Sequence, residues 1–404
     1  MKAVVPFMFF IALIMAFTVL GTTCVSQTGS SVIIPPSSVA RAEDYGLRVH
    51  TNIAVVKPDH LEIGANGAPL AENPASLACI YHLVKATKGC PQTSTIIPTG
   101  GAKAIAVVDA DDNPHAASDL RTFAAAYGYP TPKFKKVKVG HPKPDAFWSL
   151  EISLDIEYVF SMAPNAQIYL VEANSNSWPD ILAAEDKATQ LIQKAGGGQV
   201  SNSWGATDFS GEIDYDSHFK GKGIVYFASS GDVGAEVLYP SSSPFVVSVG
   251  GTQINRNSDG SFQAEAAWSD AGGGPSQYEP RPTYQDGIKN IVGDFRGTPD
   301  ISSNAAYPGS PVAIYSHDGQ YCHGWCVVGG TSVSCPTIAG IVNAAGGFKN
   351  SSTKELSELY KDYGDPSKYK TDFRDIKTGS NGHDCKKGWE FCTGIGAPLT
   401  YKDK

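Results

Sequence analysis

Positive charge is scarce in this chain of 404 residues, in which 32 Lys and Arg stand against 40 Asp and Glu, a net charge of −8. Nucleic acids and anionic membrane surfaces attract proteins through clustered basic residues, so this balance disfavours both as partners. It does not identify a substrate. The chain also contains no tandem repeat. Its 42 glycines and 26 prolines accompany 42% hydrophobic residues, which indicates a folded protein rich in turns.

Long apolar runs are absent after the first segment of the chain. Residues 3–21 are predominantly apolar, Lys2 precedes them, and small polar residues follow. This layout predicts a secretory signal peptide over residues 1–26, with an uncleaved membrane anchor as the alternative. We therefore expect a secreted, extracellular protein that has no stable membrane association once the signal is removed.

Cysteine is sparse as well, with eight in the chain and seven of them after the predicted signal peptide. Three pairs lie close together in sequence: Cys79 with Cys90, Cys322 with Cys326, and Cys385 with Cys392. In an exported protein these pairs predict short-loop disulfides, with zinc binding as the alternative, although spacing does not fix the connectivity. Cys335 is left over in a run of small residues, which predicts a buried free thiol.

From residue 101 onward, short apolar runs alternate with helical patterns. "KAIAVVDADD" is typical of a buried strand that ends in acidic residues, and a helix is predicted over residues 148–162. The alternation predicts an α/β fold with three layers, in which helices cover both faces of a mostly parallel central sheet. Functional side chains in such folds gather at the carboxyl ends of the strands.

A glycine-rich turn, "GGTSVSCP", presents the small hydroxyl residue Ser332 at the start of an apolar stretch of small residues. The turn favours a serine nucleophile, which needs a neighbouring base to accept its proton. A histidine base is missing, because His115 and His141 lie in "DNPHAAS" and "VGHPKP" and neither stands at a glycine-flanked helix start. Another kind of side chain must then accept the proton.

Carboxylates are the remaining candidates. Glu151 and Asp155 lie four residues apart, on one face of the predicted helix, among leucines and isoleucines. Two partly buried carboxyls share a proton, and such a pair can deprotonate a serine in acid, where histidine is already charged. A third acid, Asp232, follows a strand in "FASSGDVGAE", where a turn or helix cap is the alternative interpretation.

Three motifs, "EISLD", "SSGD" and "GGTS", follow one another in this order. Their order and contexts resemble the sedolisins, serine-carboxyl peptidases with a subtilisin-like fold. "FRGTPDIS" is similar to the stretch between the second and third motifs of that family, and "FRDIKTGSNG" with "GWEFCTGIGAP" is similar to its calcium loop. The resemblance covers about residues 101–404. Five motifs in order make it specific.

The resemblance implies a role for each candidate. Ser332 matches the nucleophile, Glu151 the general base and Asp155 the acid that orients this base. Asp232 matches the oxyanion aspartate, which is protonated and donates a hydrogen bond to the tetrahedral intermediate. An oxyanion needs donors, and a carboxyl can donate only when it is neutral. The backbone N–H of Ser332 is the implied second donor.

Further residues match the supporting parts of such a site. Asp109 matches a carboxylate at the end of a strand that supports the catalytic pair, with an acid that has no catalytic task as the alternative. Trp204 matches the tryptophan of the same network. "SNSWGA" is implied as an edge strand that pairs with the substrate backbone, which places Ser203 and Gly205 in the substrate-binding site. Main-chain recognition of this kind suits an endopeptidase.

One structural calcium ion is implied in the C-terminal loop over residues 372–398. The matching ligands are these: Asp375, Ile376, Lys386, Gly388 and Glu390. Lys386 stands where glycine is usual, and Glu390 stands where aspartate is usual. Carbonyl and carboxylate oxygens still suit calcium. The alternative is a loop closed by a Cys385–Cys392 disulfide, which needs no ion.

The sequence thus predicts a secreted, monomeric endopeptidase that acts on proteins or peptides at acidic pH through an acyl-enzyme on Ser332. Residues 99–404 are the predicted peptidase domain, and residues 27–98 are a short pro-segment or an N-terminal extension. One alternative is a subtilisin-type protease with an Asp–His–Ser triad, in which Asp109 would be the aspartate. The other is an inactive relative that acts as a binding or wall protein.

Overall fold

The structure is a computed structural model that describes residues 30–58 and 60–402. The predicted signal peptide lies outside the described residues. Strands and helices alternate through most of the described chain. The strands are β1 Ser30–Ile33, β2 His50–Thr51, β3 Ala54–Pro58, β4 Ala104–Ala110, β5 Phe134–Lys138, β6 Gln167–Ala173, β7 Gly198–Asn202, β8 Trp204–Thr207, β9 Ile224–Ser229, β10 Leu238–Tyr239, β11 Val247–Arg256, β12 Phe262–Ala267, β13 Gly274–Pro280, β14 Phe295–Thr298, β15 Ile301–Asn304, β16 Val312–Ser316, β17 Gly324–Gly329, β18 Phe373–Arg374 and β19 Ala397–Pro398. The α-helices are α1 Pro74–Ile80, α2 Ala116–Ala126, α3 Ala146–Met162, α4 Trp178–Lys194, α5 Lys289–Val292, α6 Thr331–Ala345, α7 Ser352–Tyr363 and α8 Pro366–Asp372.

The central sheet has the strand order β12-β11-β9-β7-β4-β6-β5, and β15 also pairs with β11. Every pairing in this sheet is parallel except that of β11 with β12. The predicted α/β class with a mostly parallel sheet is therefore confirmed. The parallel strands bring their carboxyl ends to one edge of the sheet, where Asp109 of β4 lies opposite Glu172 of β6.

Helices cover both faces of this sheet. In β4 every residue is buried, and successive side chains point to opposite faces. Ile105 and Val107 pack into the core cluster that contains α3 and α6, whereas Val108 packs into the cluster that contains α4. A strand buried on both faces has no polar side to present, which explains its continuous apolar sequence.

The helix α3 is buried along almost its whole length, from Trp148 to Met162. Its first turn is fixed by Asp145, whose side chain accepts hydrogen bonds from the backbone N–H groups of Phe147 and Trp148 at 2.9 and 3.0 Å. Such a helix carries its acidic residues into the interior of the protein. The predicted helix over residues 148–162 is confirmed, with its start two residues earlier.

The stretch "QVSNSWG" forms two strands and not the single strand that its pattern predicts. The chain leaves the central sheet after β7, and Ser203 separates it from β8. β8 belongs to a separate three-stranded sheet of order β10-β8-β2. A change of partner strands, which local sequence does not encode, divides this stretch.

The N-terminal region is integrated with the rest of the molecule. β3 pairs antiparallel with both β1 and β17, so that residues before 60 complete a sheet whose other strands come from residues 312–329. Ile53, Val55 and Leu77 belong to the same core cluster as the central sheet. Part of the predicted extension over residues 27–98 thus contributes to the main core.

Two of the three predicted disulfides are present, Cys79–Cys90 and Cys322–Cys326. The third is not formed. Cys385 and Cys392 are free thiols that lie close together beside the Glu390 carboxylate. Cys335 is a buried free thiol, as predicted, and burial raises its pKa to about 12. Within the described residues, none of the helices combines the length and the apolar character that a membrane span requires.

Candidate active site

Ser332 lies in the first turn of α6, where the glycine-rich turn delivers the chain into the helix. The turn depends on Gly330, which has a φ of +125° that side-chain-bearing residues rarely adopt. The Ser332 side chain is fully buried, and its hydroxyl donates to the backbone carbonyl of Ser203 at 3.3 Å. The nucleophile candidate therefore lies between the start of α6 and the junction of β7 and β8.

Glu151 and Asp155 lie one turn apart on α3, and both are fully buried. Burial raises the pKa of each carboxyl well above its usual range, and the neighbouring Asp155 raises the pKa of Glu151 further. The Ser332 hydroxyl is near enough to lower the pKa of Glu151 against these effects. Among the described residues, however, no donor makes a hydrogen bond of standard geometry to either oxygen of Glu151. The resting hydroxyl points to a carbonyl, and a rotation about its side chain would turn it toward the base.

Asp155 is held in place by a serine side chain at the junction of β7 and β8. Its Oδ1 atom accepts a hydrogen bond of 2.7 Å from the hydroxyl of Ser203. This bond lowers the pKa of Asp155 against the larger effect of burial. Ser203, predicted only as part of the substrate-binding strand, thus also orients an acid of the site. A serine in a strand motif carries no sequence signal for such a contact.

Asp109 lies at the carboxyl end of β4 and is fully buried. No described residue donates a hydrogen bond to either of its oxygens. Burial, and then the proximity of Asp155 and Glu151, raises its pKa well above its usual range. Three buried carboxyls so close together cannot all ionise, so this cluster holds protons in acid and releases them as a coupled set.

Trp204 was predicted in the hydrogen-bond network of these carboxyls, and its contact is indirect. The indole N–H donates to the backbone carbonyl of Val108 at 2.8 Å, one residue before Asp109. Trp204 is fully buried, and its ring packs edge-on against Trp178. It fixes the end of β4 that carries Asp109 and does not bind the carboxylate itself.

Asp232 lies on the other side of Ser332, in the loop after β9. Its Oδ1 atom accepts two hydrogen bonds of 2.8 Å, from the backbone N–H and the hydroxyl of Thr331. Its Oδ2 atom is buried and has no partner among the described residues. Burial raises the pKa of Asp232 to about 8, so the carboxyl is neutral in acid. A neutral Oδ2–H is a hydrogen-bond donor directed at no protein acceptor.

A segment of the chain itself lies in this site. The carbonyl oxygen of Asn52 accepts a hydrogen bond of 3.2 Å from the backbone N–H of Ser332. The two preceding residues form β2, in which His50 pairs with Gly205 and Thr51 pairs with Trp204. Gly205, predicted to bind substrate backbone, thus pairs with the N-terminal region. Nothing in the sequence around Asn52 indicates this contact.

The residues predicted to hold calcium lie in the loop before β19, and the first of them is occupied by protein donors. Asp375 Oδ1 accepts hydrogen bonds from the hydroxyl of Tyr369 at 2.8 Å and from the backbone N–H of Gly388 at 2.9 Å. Its Oδ2 atom lies 3.5 Å from the ammonium group of Lys377. The carboxylate therefore already has a cation and two donors beside it.

Glu390 is satisfied in the same way. Its oxygens accept hydrogen bonds from the backbone N–H groups of Cys392 and Thr393 and from the Thr393 hydroxyl. Ile376 and Lys386 are predicted to bind calcium through their backbone carbonyls, which the burial of Ile376 and the exposure of Lys386 do not test. Both carboxylates are occupied by protein donors, and the described residues form no clear calcium site.

The fold and this arrangement define a class of protein. A parallel sheet lies between two helical layers, and a buried serine at the start of a core helix lies beside acids from α3 and from a strand end. The sequence profile of the subtilase family matches residues 143–362, more than half of the chain. The chain belongs to this family.

Within that class, the chain is a member of the sedolisin family, with a subtilisin-like fold. It is 27% identical to kumamolisin from Bacillus sp. (strain MN-32) over 384 residues, which cover 83% of this chain and 63% of kumamolisin. It is 23% identical to sedolisin from Pseudomonas sp. (strain 101) over 399 residues, which cover 87% of this chain and 63% of sedolisin. A third relative is tripeptidyl-peptidase 1 from Dictyostelium discoideum, 29% identical over 328 residues, 70% of this chain and 50% of the relative.

Among solved structures, the fold is similar to Pseudomonas sedolisin, a serine-carboxyl proteinase complexed with two molecules of pseudo-iodotyrostatin. The TM-score is 0.67 at 22% identity, over 81% of this chain and 95% of that one. The chain spans between half and two thirds of the length of the three curated relatives.

Proposed function

We propose that this protein is a secreted serine-carboxyl endopeptidase that hydrolyses peptide bonds at acidic pH through an acyl-enzyme on Ser332. One observation carries the proposal. The Ser332 backbone N–H binds a peptide carbonyl, while a buried acid pair and a second buried acid flank the same serine. An acyl-transfer site needs these three parts: a nucleophile, a proton acceptor and oxyanion donors.

Glu151 is the proposed proton acceptor for the Ser332 hydroxyl. Asp155, held by Ser203, shares a proton with Glu151 and keeps the pair at a single negative charge. Asp109 lies behind the pair and adds a further buried carboxyl that takes up a proton in acid. A pair that carries one proton and one negative charge can accept the Ser332 proton in acid, where histidine is already charged.

Asp232 and the backbone N–H of Ser332 are the proposed oxyanion donors. Removal of one oxyanion hydrogen bond of this kind lowers kcat by about 10²–10³-fold. The neutral Asp232 carboxyl can donate from Oδ2, since Thr331 already occupies Oδ1. The second donor is already engaged by the Asn52 carbonyl, which supports its assignment.

The path of the chain through the site favours an endopeptidase over a tripeptidyl-peptidase. An enzyme that removes tripeptides needs a barrier three residues before the reacting carbonyl. Here the chain before the Asn52 carbonyl continues past the third residue: the backbone N–H of Val49 donates to Asn176, and the Leu47 carbonyl accepts from Trp178. A cleft that holds a long chain before this carbonyl suits cleavage within proteins and peptides.

We expect acid peptidase activity that depends on the acid pair and on the serine. Ser332→Ala and Glu151→Gln should each lower kcat/KM for an internally quenched peptide by at least about 10³-fold, because each removes part of the acyl-transfer step. The measurement is the pH profile of kcat/KM between pH 3 and 9 for the wild type and both variants.

The matched controls come from the same helices. Glu157→Gln alters another buried carboxyl of α3, and Ser334→Ala alters another buried serine of α6, and both should leave the profile largely unchanged. A neutral or alkaline optimum that survives Glu151→Gln would contradict the mechanism. Absence of peptidase activity at every pH in a folded protein would favour the binding-protein alternative.

A further inference from the structure

The edge of β8 is occupied by the protein's own N-terminal region. β8 pairs on one side with β10 and on the other side with β2. The pairing with β2 is antiparallel, with His50 opposite Gly205 and Thr51 opposite Trp204. An extended peptide that adds to a sheet edge is recognised through such main-chain pairs. Residues 50–52 therefore occupy the place of a peptide substrate.

Asn52, the residue after β2, places its carbonyl at the reacting position. The Asn52 oxygen accepts the Ser332 backbone N–H at 3.2 Å. Gly330 leaves room for this oxygen, because a Cβ atom at Gly330 would lie 2.0 Å from it and 2.5 Å from Asp232 Oδ2. The Asn52 carbonyl and the unpaired oxygen of Asp232 thus border the same small space. A carbonyl held by the Ser332 backbone N–H in this space lies where an oxyanion site would polarise it.

The side chain of Asn52 has a specific partner. Its amide nitrogen donates to the hydroxyl of Ser229 at 2.7 Å, at the carboxyl end of β9. Asn52 is 1% exposed, so this hydrogen bond lies away from water. A buried hydrogen-bonding pocket rejects side chains that cannot complete its bonds. The pocket beside Ser332 is therefore suited to asparagine.

We propose that residues 50–53 are bound as the enzyme's own first substrate, that Asn52–Ile53 is the bond cleaved, and that Ser229 selects asparagine on the amino side of cleaved bonds. This inference rests on the proposed peptidase function. To that function, the inference adds the bond at which the chain is processed and the class of substrate.

The reaction balances with one water molecule. The Ser332 oxygen bonds to the Asn52 carbonyl carbon, and its proton passes through Glu151 to the departing nitrogen of Ile53 as the peptide bond breaks. Water then attacks the resulting ester of Asn52, giving its proton back through Glu151 to Ser332. The products are an N-terminal fragment that ends in the Asn52 carboxyl and a chain that begins at Ile53.

The two products differ in how firmly the fold holds them. Ile53 is 1% exposed and lies in the main core, and β3 follows it, paired with β17. The new amino terminus therefore stays in place. The released fragment is held by β2, by β1, whose residues are mostly exposed, and by backbone hydrogen bonds of Leu47 and Val49 to Trp178 and Asn176. Its departure would free the edge of β8 for other substrates.

The test is incubation of the purified full chain at pH 4, followed by N-terminal sequencing and intact-mass measurement, with the same samples assayed on a quenched peptide. We expect a product that begins at Ile53 in the wild type and none in Ser332→Ala. Asn52→Ala should slow its appearance about tenfold or more, whereas the control Asn350→Ala, at an exposed site, should not.

These readouts separate the two proposals. Hydrolysis of the added peptide without a product at Ile53 would overturn the processing site and leave the peptidase function standing. Absence of both activities would contradict the peptidase function itself. Cleavage at a different bond of the same segment, unaffected by Asn52→Ala, would also overturn the inference.

The specificity is tested on peptides that copy residues 44–60 and carry asparagine or leucine at position 52. These side chains are similar in size, and only asparagine can donate to Ser229. We expect the wild type to prefer the asparagine peptide and Ser229→Ala to reduce the ratio of the two kcat/KM values about tenfold. Ser230→Ala, whose buried hydroxyl has no partner among the described residues, is the matched control. An unchanged ratio in Ser229→Ala would refute this role.

Discussion

At the scale of single residues, Asp232 sets the upper limit of the pH range in which the proposed oxyanion site works. Its Oδ1 atom is occupied by Thr331, so only a protonated Oδ2 can donate. Burial raises the pKa of Asp232 to about 8. Below this pH the carboxyl is neutral and donates, and above it the charge repels an oxyanion. We expect kcat to fall as the pH rises through about 8.

Asp232→Asn tests this assignment, because the amide nitrogen donates at every pH while its oxygen still accepts from Thr331. The variant should keep activity within about tenfold of the wild type at pH 4 and lose the fall near pH 8, whereas Asp232→Ala should lose about 10²–10³ in kcat throughout. The measurement is kcat against pH from 3 to 9. A fall in kcat near pH 8 that persists in Asp232→Asn would show that another group causes the fall.

At the scale of elements, the site depends on how closely α3 and α6 approach. α3 carries Glu151 and Asp155, and Ser332 lies in the first turn of α6. The helices meet at Gly340, where an added Cβ would lie 2.6 Å from the Cβ of Met162 and 3.0 Å from the Val159 carbonyl oxygen. Both neighbours belong to a buried helix and have little freedom to move.

Gly340→Ala should therefore push the two helices apart. We expect a loss of about 1–3 kcal/mol in the free energy of unfolding. We also expect a loss of kcat of about 10²-fold, because a displacement of about 1 Å between nucleophile and base is enough for this. Denaturant unfolding and peptide assays measure the two effects. Gly287→Ala is the control, since nothing lies within 4 Å of its added Cβ. Full activity in Gly340→Ala would show that the helix spacing is not critical.

Among the elements, those that depend on local sequence pattern could be predicted. The apolar run of β4, the extent of α3 and the turn before Ser332 depend on local pattern, and all three are found where the pattern indicated. The break at Ser203 depends on a change of sheet, and the bond from Ser203 to Asp155 joins elements far apart in the chain. Such contacts are decided by tertiary packing, which composition and periodicity do not encode.

The position of the segment around Asn52 could not be predicted from its local sequence either. Its residues are ordinary for an extended stretch, and their importance comes from the strand and helix that they meet. Likewise, the spacing of Cys385 and Cys392 suits a disulfide, yet both are free thiols. The motifs indicated the residues around Ser332, but not what occupies the cleft beside them.

At the scale of the whole molecule, acidic side chains are buried without cations in several places. Glu151, Asp155, Glu157 and Glu185 are all fully buried, and burial raises the pKa of each well above its usual range. The native state therefore keeps protons that the unfolded chain releases above about pH 4. Histidines such as His50, whose pKa burial lowers, act in the opposite direction below about pH 6.5.

The balance of these groups predicts a protein that is more stable in acid than at neutral pH. Where the native state binds more protons than the unfolded state, stability falls as the pH rises, and it does so until the native groups ionise. For Glu172 and Asp232 this happens at about 7 and about 8. We expect the free energy of unfolding to fall by roughly 2–5 kcal/mol between pH 5 and pH 8.

The change in the free energy of unfolding with pH is measured by denaturant unfolding at constant ionic strength. The Ser332→Ala variant is used, because it cannot digest itself under the proposed mechanism. Adding Glu185→Gln removes one buried carboxyl outside the site and should flatten the slope by close to one proton, because glutamine does not titrate. Stability that rises toward pH 8 would mean that paired carboxylates dominate instead. A fall that Glu185→Gln leaves unchanged would assign the protons to other buried carboxyls, among them Glu157, Glu172 and those around Ser332.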